Sequence, residues 1–473
     1  MSQGSNLVIG KVISCEDHPD SDHLHVCQVD LGDKIEQIVC GAPNVTAGQK
    51  VIVARVGAKL LGGDIKAGVI RGQESNGMIC SLLELGVDPH QLSEESKNGI
   101  EVLDEDAPVG NENPLGYLAL DDEILDVGLT PNRNDCMAAW SMALETGAIL
   151  HKEVNIPYVE GASNVGEASR LIVRSETEKC PLFLGKVINS VTIKPSPKWM
   201  QELLMAAGMK SINNVVDISN IVMLETGQPL HFYDLDAIPA QEITVKDQQR
   251  FDYTALDGES YHIEEDDIVI TTEGKPIGIA GIMGGDDSKI EETTKGIIIE
   301  AAIFHHVSIR NTSRRLNLGT DASVRYQKGI EPMATFKAVD RAVQLLIEYA
   351  DASGLEETKQ YGSNGYTPLE FDVNLDRINV LLGTDFQQEE VMKVLDDLHL
   401  EPSVNNSDIH VKIPSYRMDL AIEADIAEEI IRILGYERLP STMPKMPSTV
   451  GALNRRQQLR RKYRNMLSDL GYN

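Results

Sequence analysis

A multidomain α+β protein is what the sequence predicts, on three observations. The chain has 473 residues, long against the roughly 150 of a typical domain, so about three units are expected. As far as about residue 117, short β-branched runs alternate with Gly, Asn, Asp and Pro turns at the spacing of a small closed barrel. Beyond that point the apolar pattern switches repeatedly between strand and helix periods, the mark of mixed α/β units. A 42% hydrophobic content supplies each unit with a core.

Residues 6–117 form the predicted barrel, from LVIGKVISCE, HLHVCQVDLG, EQIVCGAP, QKVIVARVGAKL and SNGMICSL. His23, His25 and Cys27 alternate on one of these strands, with Cys15 and His18 nearby. Zinc normally draws its ligands as pairs from two turns, and no second pair follows, so half-buried strand positions are the better reading. GAKLLGG, residues 57–63, lacks the G-K-[ST] end of a phosphate loop. Residues 118–165 read as an α/β connector: a strand, a turn at TPNRND, and an amphipathic helix from Cys136 to Leu150 that Asp135 would cap.

Residues 166–362 are a larger mixed α/β unit. Its most informative stretch is NNVVDISNIVMLETGQPLHFYD, Asn213–Asp234. The apolar run predicts a helix stopped by Gly227 and Pro229, with His231 just beyond on an extended segment. GKPIGIAGIMGGDDS brings glycines at 278, 281, 284 and 285, which allow close backbone approach; lying between strands, they are no dinucleotide fingerprint. In GIIIEAAIF a single acid, Glu300, interrupts an apolar strand. Helix ATFKAVDRAVQLLIEYA places Ala338, Ala342, Leu345 and Tyr349 on one face. A smaller unit, residues 366–441, follows. Residues 442–473 hold a Pro-rich linker and a basic helix whose Leu459, Tyr463 and Leu467 repeat at helical spacing, as in the start of a further domain.

Charge constrains function. With 43 Lys and Arg against 73 Asp and Glu, the net charge is −30, so most of the surface repels a phosphate backbone, and nucleic acid can be handled only at local basic patches or through a partner. No eighteen-residue apolar run and no secretory leader pattern occur, which excludes a membrane-spanning helix and predicts a cytoplasmic protein. Six scattered cysteines without C-x-x-C spacing fit reduced, buried thiols.

HPDSDHLHVCQVDLG, IVCGAPNV with GQKV, and IRGQESNGMICS resemble, in order, the tRNA-binding OB-fold module of several tRNA-associated proteins. Four further segments, Ser219-Asn220 with His231, AGIMGG (280–285), EAA (300–302) and GTDASVRYQKG (319–329), closely resemble the B3/B4 editing domain of the bacterial phenylalanyl-tRNA synthetase β subunit. Residues 366–441 resemble that family's B5 domain, and 118–165 a remnant of its B1 domain. The resemblance covers essentially the whole chain. Family members begin with a further short segment and continue into catalytic-like and anticodon-binding domains, so the chain is expected to be truncated at both ends.

The resemblance implies a subunit of phenylalanine–tRNA ligase in an α₂β₂ heterotetramer. The α subunit would carry the ATP-dependent synthetic site, this segment binding no ATP. This chain would bind tRNA(Phe) and hydrolyse mischarged Tyr-tRNA(Phe). A pocket that hydrogen-bonds the tyrosine hydroxyl discriminates well, because phenylalanine leaves its polar groups unpaired. Glu300 would recognise that hydroxyl, and Gly284, Thr320 and Ala322 would line the pocket. His231 and Asn220, with Ser219 where the family has Thr, would lie near the terminal adenosine and the hydrolytic water. His231 acts there either as general base or as positioner. Arg310, Arg314, Arg315 and Arg325 would supply positive charge to the RNA end. The family's QPLHAFD is QPLHFYD here.

Asp419, Asp425, Glu428 and Glu429 match the family's Mg²⁺ site, with ligands shared with the α subunit. Asp425, Glu428 and Glu429 are expected on one helix face and Ile426, Ile430, Ile433 and Leu434 on the other; oxygen-only ligands suit Mg²⁺, while acids in a first helical turn are also what the helix dipole favours. The competing function is a non-catalytic tRNA-binding and assembly scaffold.

Overall fold

The computed structural model describes residues 6–89, 92, 94–405, 408–443, 446–447 and 450–472. Its N-terminal unit is a nearly closed antiparallel barrel of β1 (Leu7–Asp17), β2 (His25–Asp30), β3 (Ile35–Cys40), β4 (Lys50–Arg55), β5 (Gly77–Ile79) and β6 (Val102–Leu103). The order is β6-β4-β1-β2-β3, with β5 also on β4. Alternation turns Val8, Val12, Cys27, Val29, Ile38 and Val53 inward. A register shift between Val12 and Ser14 bends β1 so that the sheet curls. Across the remaining gap the Asn76 N–H donates to the Gln37 carbonyl at 2.9 Å.

The connector departs from expectation in two places. Residues 122–130 form no strand, and Ile124, Leu125 and Val127 are exposed; an extended segment without a neighbouring strand has no ladder to join. Asp135 does not cap the helix. Its carboxylate is taken by Arg133, Nε to Oδ1 at 3.0 Å, and α1 (Ala139–Leu150) starts from Ala138 without a side-chain cap.

The central unit stacks two sheets under two helices. One sheet holds β8 (Leu182–Ser190), β9 (Leu230–Asp234), β14 (Ile297–Ile303), β15 (Ser353–Leu355) and β16 (Lys359–Gly362), in the order β9-β14-β8-β15 with β16 also on β8. The other runs β7 (Ile172–Ser175), β10 (Glu242–Lys246), β11 (Val269–Thr272), β12 (Lys275–Ile279) and β13 (Met283–Gly284). Helices α2 (Asn214–Thr226) and α4 (Ala334–Tyr349) cover the outer face of the first sheet. There Val215, Ile218, Val222, Ala338, Ala342 and Leu345 meet Phe232, Ile297 and Ile299. A second core fills the space between the sheets, with Tyr233, Ile243, Ile270, Ile279, Ile298 and Ala302.

The C-terminal unit places β17 (Leu369–Asn374), β18 (Ser403–Asn405) and β19 (Asp408–Ile413) in the order β17-β19-β18, against helices α5 (Leu375–Leu382), α6 (Gln388–Asp397) and α7 (Glu423–Leu434). The last helix, α8 (Arg455–Asp469), buries none of its residues. Leu459, Tyr463 and Leu467 are exposed, so the expected packing face has no neighbour among the described residues. No helix among these residues is long and apolar enough to cross a membrane.

Candidate functional site

The site grows from two strand alternations. In β14, Ile297, Ile299 and Ala301 face the helices while Ile298, Glu300 and Ala302 face the space between the sheets. An apolar strand thereby carries a carboxylate into the core, and Glu300 is only 5% exposed. Strand β9 pairs antiparallel with β14, His231 opposite Glu300, so the two side chains share a face. Phe232 points to the helices and its bulk does not reach this face. Tyr233 does reach it.

The approach to β9 is fixed locally. Asn213 caps α2, its Oδ1 accepting from the N–H groups of Val215 and Val216 at 3.1 and 3.0 Å. Gly227 ends the helix in the left-handed region, φ 75°, which a side chain resists. The buried Gln228 then anchors the turn. Its Nε2 lies 3.1 Å from both the Ala302 carbonyl and the Tyr326 hydroxyl, and its Oε1 accepts from Thr335 at 2.9 Å.

His231, Tyr233, Gly284, Glu300, Ala322 and Tyr326 contribute to the wall of a cavity of about 70 Å³. Tyr233 donates its hydroxyl to Glu300 Oε2, and its ring meets His231 edge-on at 4.4 Å. Burial pushes the Glu300 carboxyl up to about 7, the Tyr233 hydrogen bond opposing it. Burial also lowers His231 to about 4, so the imidazole is neutral at neutral pH. Its Nε2 is enclosed without a hydrogen-bond partner, a polar atom left for a ligand to satisfy. Among the described residues no carboxylate is hydrogen-bonded to the ring as in a catalytic triad.

Gly284 is where the ring closes on the opposite sheet. A Cβ added there would stand 2.6 Å from His231 Nε2, inside van der Waals contact. Gly284→Ala is therefore expected to rotate His231 off its rotamer and to cost about 1–3 kcal/mol of stability. Chemical denaturation together with the crystallographic His231 χ1 angle checks this.

The other expected residues are placed differently. Ala322 lines the cavity. Thr320 does not; it caps α3 (Asp321–Lys328), accepting from the Ser323 N–H at 3.1 Å and donating to the Ile282 carbonyl at 2.9 Å. It ties this helix to the glycine turn, and its single proton is used. Ser219 donates to the Val216 carbonyl at 2.7 Å, and neither it nor Asn220 lines the cavity. Arg315 is bound to Asp267, and Arg325 is buried beside Asp321, whereas Arg310 is half-buried and Arg314 exposed. Tyr233, Gln228 and Tyr326 lie within the stretches QPLHFYD and GTDASVRYQKG, but neither periodicity nor spacing marks them as residues of the pocket.

Three family models match the chain in order: a tRNA binding domain over residues 7–112, a B3/4 domain over 179–351 and a tRNA synthetase B5 domain over 371–436. The phenylalanine–tRNA ligase β subunit of Streptococcus mutans is 43% identical over 471 residues, covering 99% of this chain and 59% of that protein. The chain is a relative of the phenylalanine–tRNA ligase β subunits. Their counterpart in Staphylococcus aureus is 44% identical over 474 residues, again 59% of its length; the chain thus spans about three fifths of these ligase β subunits. Among solved structures, an N-terminal fragment of the Pyrococcus horikoshii phenylalanyl-tRNA synthetase β-subunit aligns at 14% identity and a TM-score of 0.36, over 68% of this chain and 93% of that one, too low a score to bear on the fold.

Within the region matched by the B5 model, the four carboxylates expected to hold Mg²⁺ do not converge. Asp419 is gripped by Arg417, Nε to Oδ1 at 3.0 Å and Nη2 to Oδ2 at 2.9 Å. Glu429 accepts from Arg417 Nη1 at 2.6 Å and from Arg432 Nη2 at 2.7 Å. Asp425 Oδ2 caps α7 through the N–H groups of Ala421 and Ile422, and Glu428 points to solvent. The expected face assignment is corrected: four residues turn a helix by about 40°, so Glu429 lies in line with Ile433 and faces the core. Its guanidinium partners already neutralise it and hold its carboxyl down at about 2. The described residues offer no cluster of acids for a cation, and the residues present do not fit Mg²⁺. Arg432 continues to Glu145 of α1, and Glu145 accepts from Arg133 at 2.8 Å, so the network bolts the B5 region to the connector.

Proposed function

We propose that this chain is the tRNA-binding and editing portion of a phenylalanine–tRNA ligase β subunit, acting in the cytoplasm with an α subunit in an α₂β₂ complex. In this reading its cavity hydrolyses tyrosine from mischarged tRNA(Phe), while the α subunit joins phenylalanine to tRNA at the expense of ATP. The observation that carries the reading is a carboxylate buried opposite an unpartnered imidazole, in a cavity otherwise walled by apolar residues, glycines and two tyrosines, Tyr233 and Tyr326. Glu300 would accept the tyrosine hydroxyl. Phenylalanine would leave the carboxylate oxygen not held by Tyr233 desolvated and unpaired, at a cost of about 1–3 kcal/mol.

Water attacks the ester carbonyl, the ester bond breaks, and tyrosine leaves the ribose hydroxyl. With its basicity lowered to about 4, His231 is poorly matched to abstract a proton near pH 7. It serves better as a neutral hydrogen-bonding group that holds the aminoacyl end. One proton of the water ends on the departing ribose oxygen and the other passes to solvent from the released carboxyl group, the water being aligned with help from the terminal ribose.

The cavity's size favours the competing scaffold reading. About 70 Å³ is under half of the roughly 150 Å³ that accommodates benzene, so an aromatic side chain enters only when the His231 ring swings away from Gly284. One assay decides between the two. Tyr-tRNA(Phe) is mixed with the β subunit and its α partner, wild type or Glu300→Ala. The editing reading expects tyrosine release well above the uncatalysed rate and a variant about 10- to 100-fold less selective for tyrosyl over phenylalanyl ester. Equal release by both proteins, at the uncatalysed rate, establishes the scaffold instead.

A further inference from the structure

We propose that Tyr233 sets the specificity of this pocket: its hydroxyl fixes one oxygen of the Glu300 carboxylate and reserves the other for the phenol of the tyrosyl ester. The inference rests on the editing reading and deepens it. Tyr233 and His231 are two residues apart on β9 and project from the same face. The Tyr233 ring is wedged edge-on against His231 at 4.4 Å and its hydroxyl donates to Glu300 Oε2. Across the cavity, a Cβ added at Gly278 would come to 4.0 Å from that hydroxyl, so the phenol faces the glycine backbone of the other sheet. Both Tyr233 and Glu300 line the cavity.

A carboxylate has two oxygens, both of which are acceptors only when it is ionised; protonated, one becomes an O–H donor and the acceptor capacity left is weaker. The titratable groups around Glu300 are Tyr233 and His231 on β9, Tyr326 on α3 and Cys180 just before β8. None carries positive charge at neutral pH, since burial keeps the histidine neutral and the thiol and phenols protonated. The Tyr233 hydroxyl is thus the group that favours the ionised acid against burial. It also denies the carboxylate the free rotation that would let a water replace the substrate's phenol. A hydroxyl of the protein acts here as a fixed half of the recognition pair, and the substrate supplies the other half.

The test uses the full-length β subunit with its α partner. Hydrolysis of Tyr-tRNA(Phe) and Phe-tRNA(Phe) is followed from pH 5.5 to 8.5 for wild type and for Tyr233→Phe, which keeps the ring and removes the hydroxyl. The expected result is at least a tenfold fall in the tyrosyl-to-phenylalanyl ratio of kcat/KM, with the midpoint of the pH rise in tyrosyl hydrolysis moved upward. An unchanged ratio, including equal losses on both esters, makes Tyr233 merely structural and overturns the proposal. A ratio that rises shows the hydroxyl competing with the substrate's phenol and overturns it too. In both cases a wild type that still releases tyrosine leaves the editing reading standing. A wild-type complex that fails to release tyrosine removes that reading and this inference with it. The infrared C=O band of protonated Glu300, identified by its loss in Glu300→Gln, adds a readout independent of turnover: at pH 7 it is expected to grow in Tyr233→Phe. If Tyr233→Phe does not fold, the wild-type selectivity decides, since it must rise with pH as that band disappears.

Discussion

Arg417→Met is expected to destabilise the docking of the B5 region by about 3–5 kcal/mol, the cost of removing one partner from a buried ion pair. Arg417 is 2% exposed and supplies three of the hydrogen bonds that hold Asp419 and Glu429. Methionine fills much of the volume and satisfies neither acid. Amide exchange along Glu423–Leu434 is the measurement, because a multidomain chain has no single unfolding free energy. Protection there should fall by about two to three orders of magnitude, at roughly 1.4 kcal/mol per tenfold. The pH dependence has a definite sign. Glu429 is held at about 2 in the folded chain against 4.5 ordinarily, so its contribution is present above pH 4.5 and lost as pH falls through about 2. Loss of Arg417 raises the folded value, and acid opening should begin at higher pH. Adding Asp419→Asn to Arg417→Met should restore part of the protection, since Asp419 loses both of its Arg417 hydrogen bonds while Glu429 keeps Arg432; an additive loss would contradict the electrostatic account.

That network also shows what a sequence conceals. Glu300 is legible because a lone acid within GIIIEAAIF has to be buried along with its strand, and His231 is legible because Gly227 and Pro229 end the helix before it. The neighbours that give each residue its chemistry are not. Tyr233 meets Glu300 only through the register of two strands more than sixty residues apart, and Gln228 reaches Thr335 across 107 residues. Local spacing groups Asp425, Glu428 and Glu429 as a cluster of acids. The structure divides them among a helix cap, solvent and a buried pair of guanidinium groups, because Arg417 and Arg432, which local spacing does not bring to mind, both reach Glu429. The barrel and the two-layer core are legible for the opposite reason: alternation is a local property, and every strand that displays it finds a face to bury.

The second large effect comes from the pocket itself, where stability should depend on pH in two opposing ways. Glu300 is raised to about 7 from 4.5, so the folded chain holds its proton longer than the unfolded chain, and stability is lost as pH rises from about 4.5 through 7. His231 is lowered to about 4 from 6.5, so the folded chain releases its proton earlier, and stability is lost as pH falls from about 6.5 through 4. Each window is worth about 3 kcal/mol at 1.36 kcal/mol per pH unit, an upper figure for His231 because part of that residue touches solvent. Between pH 4.5 and 6.5 the two slopes cancel in the wild type, and single variants should expose them. Relative to wild type, Glu300→Gln should gain about 3 kcal/mol as pH rises from 4.5 to 7, and His231→Gln should gain up to about 3 kcal/mol as pH falls from 6.5 to 4. Amide exchange along Leu230–Asp234 and Ile297–Ile303 in the three proteins from pH 4 to 8, corrected for the intrinsic exchange rate at each pH, tests both signs at once, and parallel curves would mean that neither group is desolvated in the folded chain. A stabilising Glu300→Gln that also abolishes discrimination would show the pocket keeping an ionised carboxylate at the expense of the fold, as a site held for recognition does.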